Sequence, residues 1–220
     1  MVERKKKTSK ERILVQATRE FAAKGFDGAR VDRIAAKSGL SKNMLYHWFG
    51  SKEGLYVAVL ERMYETIRER QQDFALREGD PVEAMRQLIA HIYAALIATP
   101  EAIWLLNDEN LHKGKHVKRS TRVRELYNPL MDTISEILSH GQEQGIFRSD
   151  IDPAIFYVTI SSLVYHRFAN QYTLEISLGV DLSSQASRDS WLAHITEILI
   201  QYCKGDTAEK HLPAKAKKTA

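Results

Sequence analysis

Residues 40–55 read LSKNMLYHWFGSKEGL, and the pair Ser-Lys occurs in them twice, at Ser41-Lys42 and at Ser51-Lys52. Serine before a helix-forming run acts as an N-cap, because its hydroxyl accepts one of the backbone N–H bonds that a helix start leaves open. Lysine just after it runs against electrostatics. A helix N-terminus carries partial positive charge, and a cation in the first turn costs roughly a few tenths of a kcal/mol. With Gly50 between the two motifs, the stretch reads as a short helix, a stop and a second helix start, each with a cation at its positive end. An anion seated at each end would resolve the conflict, since dipole, amides and ammonium would all attract it.

Upstream, Ile13, Ala17 and Phe21 recur every four residues with Leu14 beside them, which predicts a helix over 9–24 ending at Gly25. A second, short helix is predicted over Val31–Ser38, with Val31, Ile34 and Ala35 on one side. Gly39-Leu40-Ser41 then joins it to the helix that starts the quoted stretch, and a three-residue connection containing glycine is the spacing of a helix-turn-helix. Leu40, Leu45 and Phe49 fall where that pair must seal against the first helix. At about 100° per residue, Asn43 and His47 point about 160° from Leu45 in opposite senses, so they face outward, with Lys42 and Tyr46 flanking them. Such a helix is roughly 12–13 Å long, close to the width of the DNA major groove. Ser41-Lys42 and Ser51-Lys52 would grip phosphates at its two ends, with the Tyr46 hydroxyl between them. A plain cap with a solvated lysine explains either motif taken alone; it explains the two together less well.

Charge is distributed accordingly. The 220-residue chain has net charge +4, but residues 1–60 hold 13 Lys/Arg against 6 Asp/Glu, while the rest hold 19 against 22. A basic head on a slightly acidic body suits a polyanionic partner such as nucleic acid. Cys203 is the only cysteine, so no intramolecular disulfide can form and a cytoplasmic setting is expected. The charged N-terminus MVERKKKTSKER has no apolar segment behind it and does not read as a signal peptide. No run of 18 apolar residues is present, so no membrane association is expected.

The remainder reads as helix almost throughout, so the expected fold class is all-α. Leu55, Val59, Met63 and Ile67 carry a long helix from Ser51 to about Arg77, before a break at Gly79-Asp80-Pro81. Residues 82–98 form the next helix, and Pro100 opens another reaching about Asn110. HKGKHVKRS reads as a loop. Val123, Leu126, Leu130, Ile134 and Ile137 mark a helix over 119–140. Asp152-Pro153 is a helix start; the following AIFYVTISSLVYHRF is rich in β-branched residues but too long for an ordinary strand. A last helix spans Arg188 to Lys204. The expected organisation is a basic arm (1–8), a three-helix DNA-binding head (9–56), a helical regulatory and dimerisation body (57–204) and a basic, disordered tail (205–220).

Within the body, His91, Tyr93, Trp104, Asn107, Tyr127, Met131 and His166 mix aromatic and polar character on helical faces, as the wall of a ligand cavity would; half-exposure explains any one of them equally well. The last two helices are more apolar than one buried stripe requires. Ile155 and Val158 add to this excess, and Phe156, Ile160, Leu163, Val164, Trp191, Ile195, Ile198, Leu199 and Tyr202 are the expected residues of a two-fold, four-helix dimer seam. His112 and His116 near Asp108 and Glu109 suggest a metal site only faintly, because Gly114 breaks the helical spacing, and a solvated loop is the expected reading. Glu109 and His112 have the E-x-x-H spacing of a di-iron helix, but only once. No metal, cofactor or catalytic residue is therefore assigned, and Cys203 is expected to be a packed apolar side chain.

The stretch QATREFAAKGFDGARVDRIAAKSGLSKNMLYHWFGSKEGLYVAVL, from Gln16, carries F-A-x-x-G-F, I-A-x-x-x-G-L-S-K, L-Y-x-x-F and S-K-E-x-L-Y in order. In these it resembles the DNA-binding domain of the TetR family of bacterial transcriptional regulators. The resemblance covers residues 9 to about 60 and implies a homodimer whose ligand-binding body controls binding to a palindromic double-stranded operator, as a repressor released by a small-molecule effector. The caps and the outward face of the helix that Ser41 starts put the DNA contacts at Ser41, Lys42, Asn43, Tyr46, His47 and Lys52. The family has Ser or Thr capping its second helix; here the position is Arg30, a weaker cap and a further phosphate contact. The alternative is a helical enzyme or metal-binding protein with an incidental basic head.

Overall fold

Thr8 and Glu11 open the first helix with a reciprocal pair of bonds. The Thr8 hydroxyl accepts from the Glu11 N–H at 3.2 Å, and the Glu11 carboxylate accepts from the Thr8 N–H at 2.8 Å. In this computed structural model, which describes residues 8–69 and 80–205, the chain forms ten α-helices and one 3₁₀ turn among those residues. The expected arm (1–8, bar Thr8), the tail beyond Gly205 and the far end of the long helix near Arg77 lie outside the described residues.

α1 (Ser9–Gly28), α2 (Val31–Ser38), α3 (Lys42–Phe49) and α4 (Lys52–Glu69) make the head. Gly25 interrupts α1 where its end is expected. It kinks the helix at φ 65°, ψ 176°, and one further turn follows to Gly28. Gly39 ends α2 in the left-handed conformation, φ 68°, ψ 30°, which only glycine adopts without strain. Ile13, Ala17, Phe21, Ile34, Leu45, Leu55, Tyr56 and Val59 are each fully buried in one cluster, with Leu40 and Phe49 packed against it. That cluster also takes Ala102 and Leu105 from α6, so the head's core is closed by the body. α4 runs unbroken through Tyr56-Val57, where the sequence suggested a boundary, and belongs to both regions.

The body comprises α5 (Pro81–Ile97), α6 (Glu101–Leu111), the 3₁₀ turn Val117–Arg119, α7 (Arg122–Glu143), α8 (Pro153–Ala169), α9 (Gln171–Leu178) and α10 (Gln185–Lys204). Asp80 and Asp152 cap α5 and α8 with proline at the first helical position, as their Asp-Pro pairs indicate. α7 starts later and ends later than its stripe suggests, and carries Pro129 on an exposed turn. α9 has no counterpart in the sequence pattern; its apolar residues face no core, and Tyr172, Ile176 and Leu178 are all exposed. α5, α7, α8 and α10 share one core, where Cys203 is fully buried and its thiol is pushed up to about 12 by that burial. Among the described residues no single helix is long and apolar enough to cross a membrane.

Burial corrects the expected dimer seam. Phe156, Ile160, Val164, Ile195 and Leu199 are each 1% exposed or less and lie inside the protomer's own core. Leu163 and Trp191 pack partly against it. The faces of α8 and α10 turned to solvent are lined instead by Ile155 and Val158, with Ile198 and Tyr202 on α10, all exposed. The reason is helical phase: residues 156, 160 and 164 share one stripe, and 155 and 158 lie on another.

Candidate functional site

The Ser41 hydroxyl accepts from the Met44 N–H at 3.2 Å, and the Ser51 hydroxyl accepts from the Gly54 N–H at 3.0 Å, so both serines cap their helices. α3 turns Leu45 inward as its one buried residue and leaves Lys42, Asn43, Tyr46 and His47 exposed. Met44 and Trp48 are exposed on the same helix, an apolar component that the sequence pattern does not assign to this surface.

Each lysine of the two Ser-Lys pairs has a partner within the protein. The Lys42 ammonium lies 2.6 Å from Asp32 Oδ1, and Arg30 lies 3.7 Å from Asp32 Oδ2. The Asp32 carboxyl is held below its usual range, first by the hydrogen bond from Lys42. The Lys52 ammonium donates to the Asp27 carbonyl at 3.2 Å and sits 4.9 Å from the centre of the Phe26 ring. Asp32 thus pairs with Lys42 and Arg30 and the buried Glu20 with Lys37 and Arg33, while Lys52 is held by a carbonyl, so five cations here face two carboxylates.

Behind this surface lies a polar junction that the sequence pattern does not reveal. Asp108 Oδ2 on α6 accepts from the Phe26 N–H at 2.8 Å and from the Tyr56 hydroxyl at 2.7 Å. Burial and the Asp108 partner together push the Tyr56 phenol well above its ordinary range. His116, expected in a solvated loop, is fully buried; its backbone N–H donates to Glu109 Oε1 at 2.7 Å, and its ring Nδ1 lies 2.8 Å from Glu109 Oε2. Glu109 Oε1 also accepts from the Val117 N–H at 2.8 Å, so this one side chain ties the whole turn to α6. The ring packs against Phe26 and Tyr56, at centroid distances of 4.3 and 4.9 Å. Glu109 bonds His116 rather than His112, and the isolated E-x-x-H spacing therefore pairs nothing. The positive φ at Lys113 and Gly114 folds the segment back onto α6, a turn that hydropathy does not reveal.

Among the described residues, the seven expected ligand residues have different surroundings. Tyr127 stacks edge-on with Tyr64 and Tyr157 beside the buried Arg68, and Met131 packs at the edge of the body core. Tyr93 is 3% exposed and donates to the Arg188 carbonyl at 3.0 Å. Asn107 accepts from the Tyr165 hydroxyl, His91 bonds its own helix at Gln87, and the His166 ring faces Asn170 one turn along α8. Only Trp104 of the seven borders a cleft of about 160 Å³ lined by Leu96, Ile97, Pro100, Ile103, Trp104, Phe168, Gln171, Tyr172 and Arg188.

Comparison with known proteins agrees with this two-part layout. Residues 13–59 match the bacterial regulatory proteins of the tetR family, and residues 81–199 match the tetracyclin repressor-like C-terminal domain. The HTH-type transcriptional repressor NicS of Pseudomonas putida is 33% identical over 193 residues, spanning 88% of this chain and 91% of its own. Among solved structures, the TetR family transcriptional regulator PfmR of Thermus thermophilus shares the fold at a TM-score of 0.65 and 21% identity, over 86% of this chain and 97% of its own. AibR, solved with isovaleryl coenzyme A and operator DNA, does so at a TM-score of 0.66 and 20% identity, over 88% and 98%. Since the head and the body each match on their own and the curated relative spans both, the chain belongs to the TetR family of bacterial transcriptional regulators.

Proposed function

We propose that this regulator is a cytoplasmic repressor that binds a palindromic operator as a homodimer and is released by a small-molecule effector. The observation that carries the DNA contact is α3. Its one buried residue faces the head, its polar residues Lys42, Asn43, Tyr46 and His47 face out, and a serine-capped helix start stands at either end. Asn43 and His47 read base edges in the major groove, while Ser41, Lys42, Tyr46, Lys52 and Arg30 hold phosphates. The exposed Ile155, Val158, Ile198 and Tyr202 support a seam between two copies of α8 and α10. Residues 9–56 are the head in this reading, and 57–204 the regulatory body.

Asp108 supports the switch. One carboxylate on α6 holds both the end of α1 and the buried Tyr56 of α4, so a displacement of α6 reaches the head through two bonds. The AibR structure holds an acyl coenzyme A and operator DNA on a similar fold, which supports pairing the two kinds of ligand here. The test is duplex binding at increasing salt. Affinity should fall linearly on logarithmic axes with a slope near the number of phosphates neutralised; weak binding with no salt dependence would exclude the DNA reading.

A further inference from the structure

Two arginines, at the end of α8 and the start of α10, carry buried donors that nothing satisfies among the described residues. Arg167 is 2% exposed; its Nη2 donates to the Leu182 carbonyl at 2.8 Å and to the Ser187 hydroxyl at 3.0 Å, while Nε and Nη1 are buried without a partner among those residues. Arg188 lines the 160 Å³ cleft, and its Nε is likewise buried without a partner among them. Carboxylates on neighbouring turns are engaged elsewhere. Glu175 Oε1 accepts from the Leu182 N–H and from the Gln171 amide, and Asp189 Oδ1 accepts from the Gln185 amide. Both guanidinium groups lie close enough to the Tyr93 hydroxyl to oppose the rise that burial imposes on it. A buried donor left without a partner is costly, so the unmet Nε of the partly exposed Arg188 on the cleft wall, with the unmet Nε and Nη1 of Arg167 also near Tyr93, points to an anion that completes them.

Three aromatic rings, Trp104, Phe168 and Tyr172, line the cleft beside the aliphatic Leu96, Ile97, Pro100 and Ile103. Trp104 and Tyr172 stack with centroids 6.3 Å apart and planes 14° from parallel. Phe168 lies 5.4 Å from Tyr93, and the Arg167 guanidinium lies 5.2 Å from the Phe168 ring centre. A volume of about 160 Å³ suits a single ring, since an apolar cavity of about 150 Å³ takes up benzene. The planar fork of a guanidinium matches a carboxylate in a way that a neutral amide or alcohol does not.

We propose that this cleft binds a small aromatic carboxylic acid as effector, the ring against Trp104, Phe168 and Tyr172 and the carboxylate on Arg188 with Arg167 behind it. The proposal rests on the effector-released reading above. The experiment is titration calorimetry of the full chain, free and bound to its operator duplex, with benzoate and phenylacetate as probes and benzamide and benzyl alcohol as neutral counterparts. At least one acid should bind the free protein at least about tenfold tighter than its neutral counterpart, and Arg188→Gln should remove that preference. Trp104→Ala should weaken acid and neutral probe alike. The acid-against-neutral comparison uses the unaltered protein and so does not depend on any variant folding. Equal affinity for acid and neutral probes, or no acid binding up to about 10 mM, overturns the proposal. A neutral aromatic that alone releases the operator overturns it while leaving the switch intact. Acids that bind free protein and operator complex equally uphold the site and overturn the switch instead.

Discussion

α3 and α8 have opposite surfaces. α3 buries one side chain, Leu45, and turns lysine, asparagine, tyrosine and histidine to solvent; α8 buries Phe156, Ile160, Val164 and Arg167 and still exposes Ile155 and Val158. A helix that meets a charged polymer needs only enough apolar surface to hold its angle on the protein, since its outer face must stay hydrated until phosphates replace the water. A helix packed on its own body and exposing apolar residues on another face has a second apolar surface to cover. In the proposed function, α3 offers nucleic acid a mainly polar face that includes Met44 and Trp48, and α8 offers a second copy an apolar one.

The strongest way to break that comparison is within α8 itself. Ile160→Ala should destabilise the protomer by about 2–5 kcal/mol in denaturant titration, because buried methyl and methylene groups are lost and a cavity remains. Ile155→Asp, five residues earlier on the other face, should leave the helical circular dichroism intact and shift sedimentation to a monomer. Dimeric Ile155→Asp protein would move the seam away from α8.

On α3, Asn43→Ala or His47→Ala should cost roughly 1–3 kcal/mol on the preferred operator and little on other duplexes, measured by competition binding. A uniform loss on every sequence would reassign those side chains to phosphates. Lys52→Ala has a smaller and different expected effect: all duplexes weaken alike and the salt slope falls by about one. Since Lys52 also bonds the Asp27 carbonyl, an unchanged slope would make it a structural tie between α1 and α4 and nothing more.

The smallest effect tests the junction between the two regions. His112 is raised above its ordinary value of 6.5, chiefly by its bond at the Asp108 backbone and then by Asp27, against the opposing effect of burial. A raised histidine stabilises the fold fully below the unfolded value, and that contribution is lost as pH climbs through the folded one. Thermal melts should therefore show a modest loss of stability from about pH 6 to about pH 8 that His112→Gln reduces. An identical pH dependence in the variant would remove His112 from the junction.

How far the sequence can be read depends on whether a residue's neighbours are local. The Ser-Lys pairs, Gly39 and the stride of Ile13, Ala17 and Phe21 act within a turn or two, and the caps, the left-handed turn and the buried stripe all stand where those residues place them. That Asn43 and His47 face outward follows from the same helical arithmetic. The seam is different. An excess of apolar residues says that two faces exist, and only the packing of α8 against α5 and α7 says that Phe156 and Ile160 belong to the inner one.

The junction and the cleft depend on contacts between residues far apart in the chain. Asp108 meets Phe26 across 82 residues and Tyr56 across 52, and nothing in the pattern around Asp108 marks it as their partner. His116 reads as solvated because its neighbours are lysines and a glycine; the turn at Lys113-Gly114 folds it under α6 against Phe26. Arg167 and Arg188 read as ordinary cations on amphipathic helices until the chain brings both near Tyr93, Arg188 on the cleft wall and Arg167 against the Phe168 ring. Periodicity and capping are local and carry the helices and the DNA face, whereas burial of a polar group depends on which distant segments close over it, and that was decided by the tertiary structure alone.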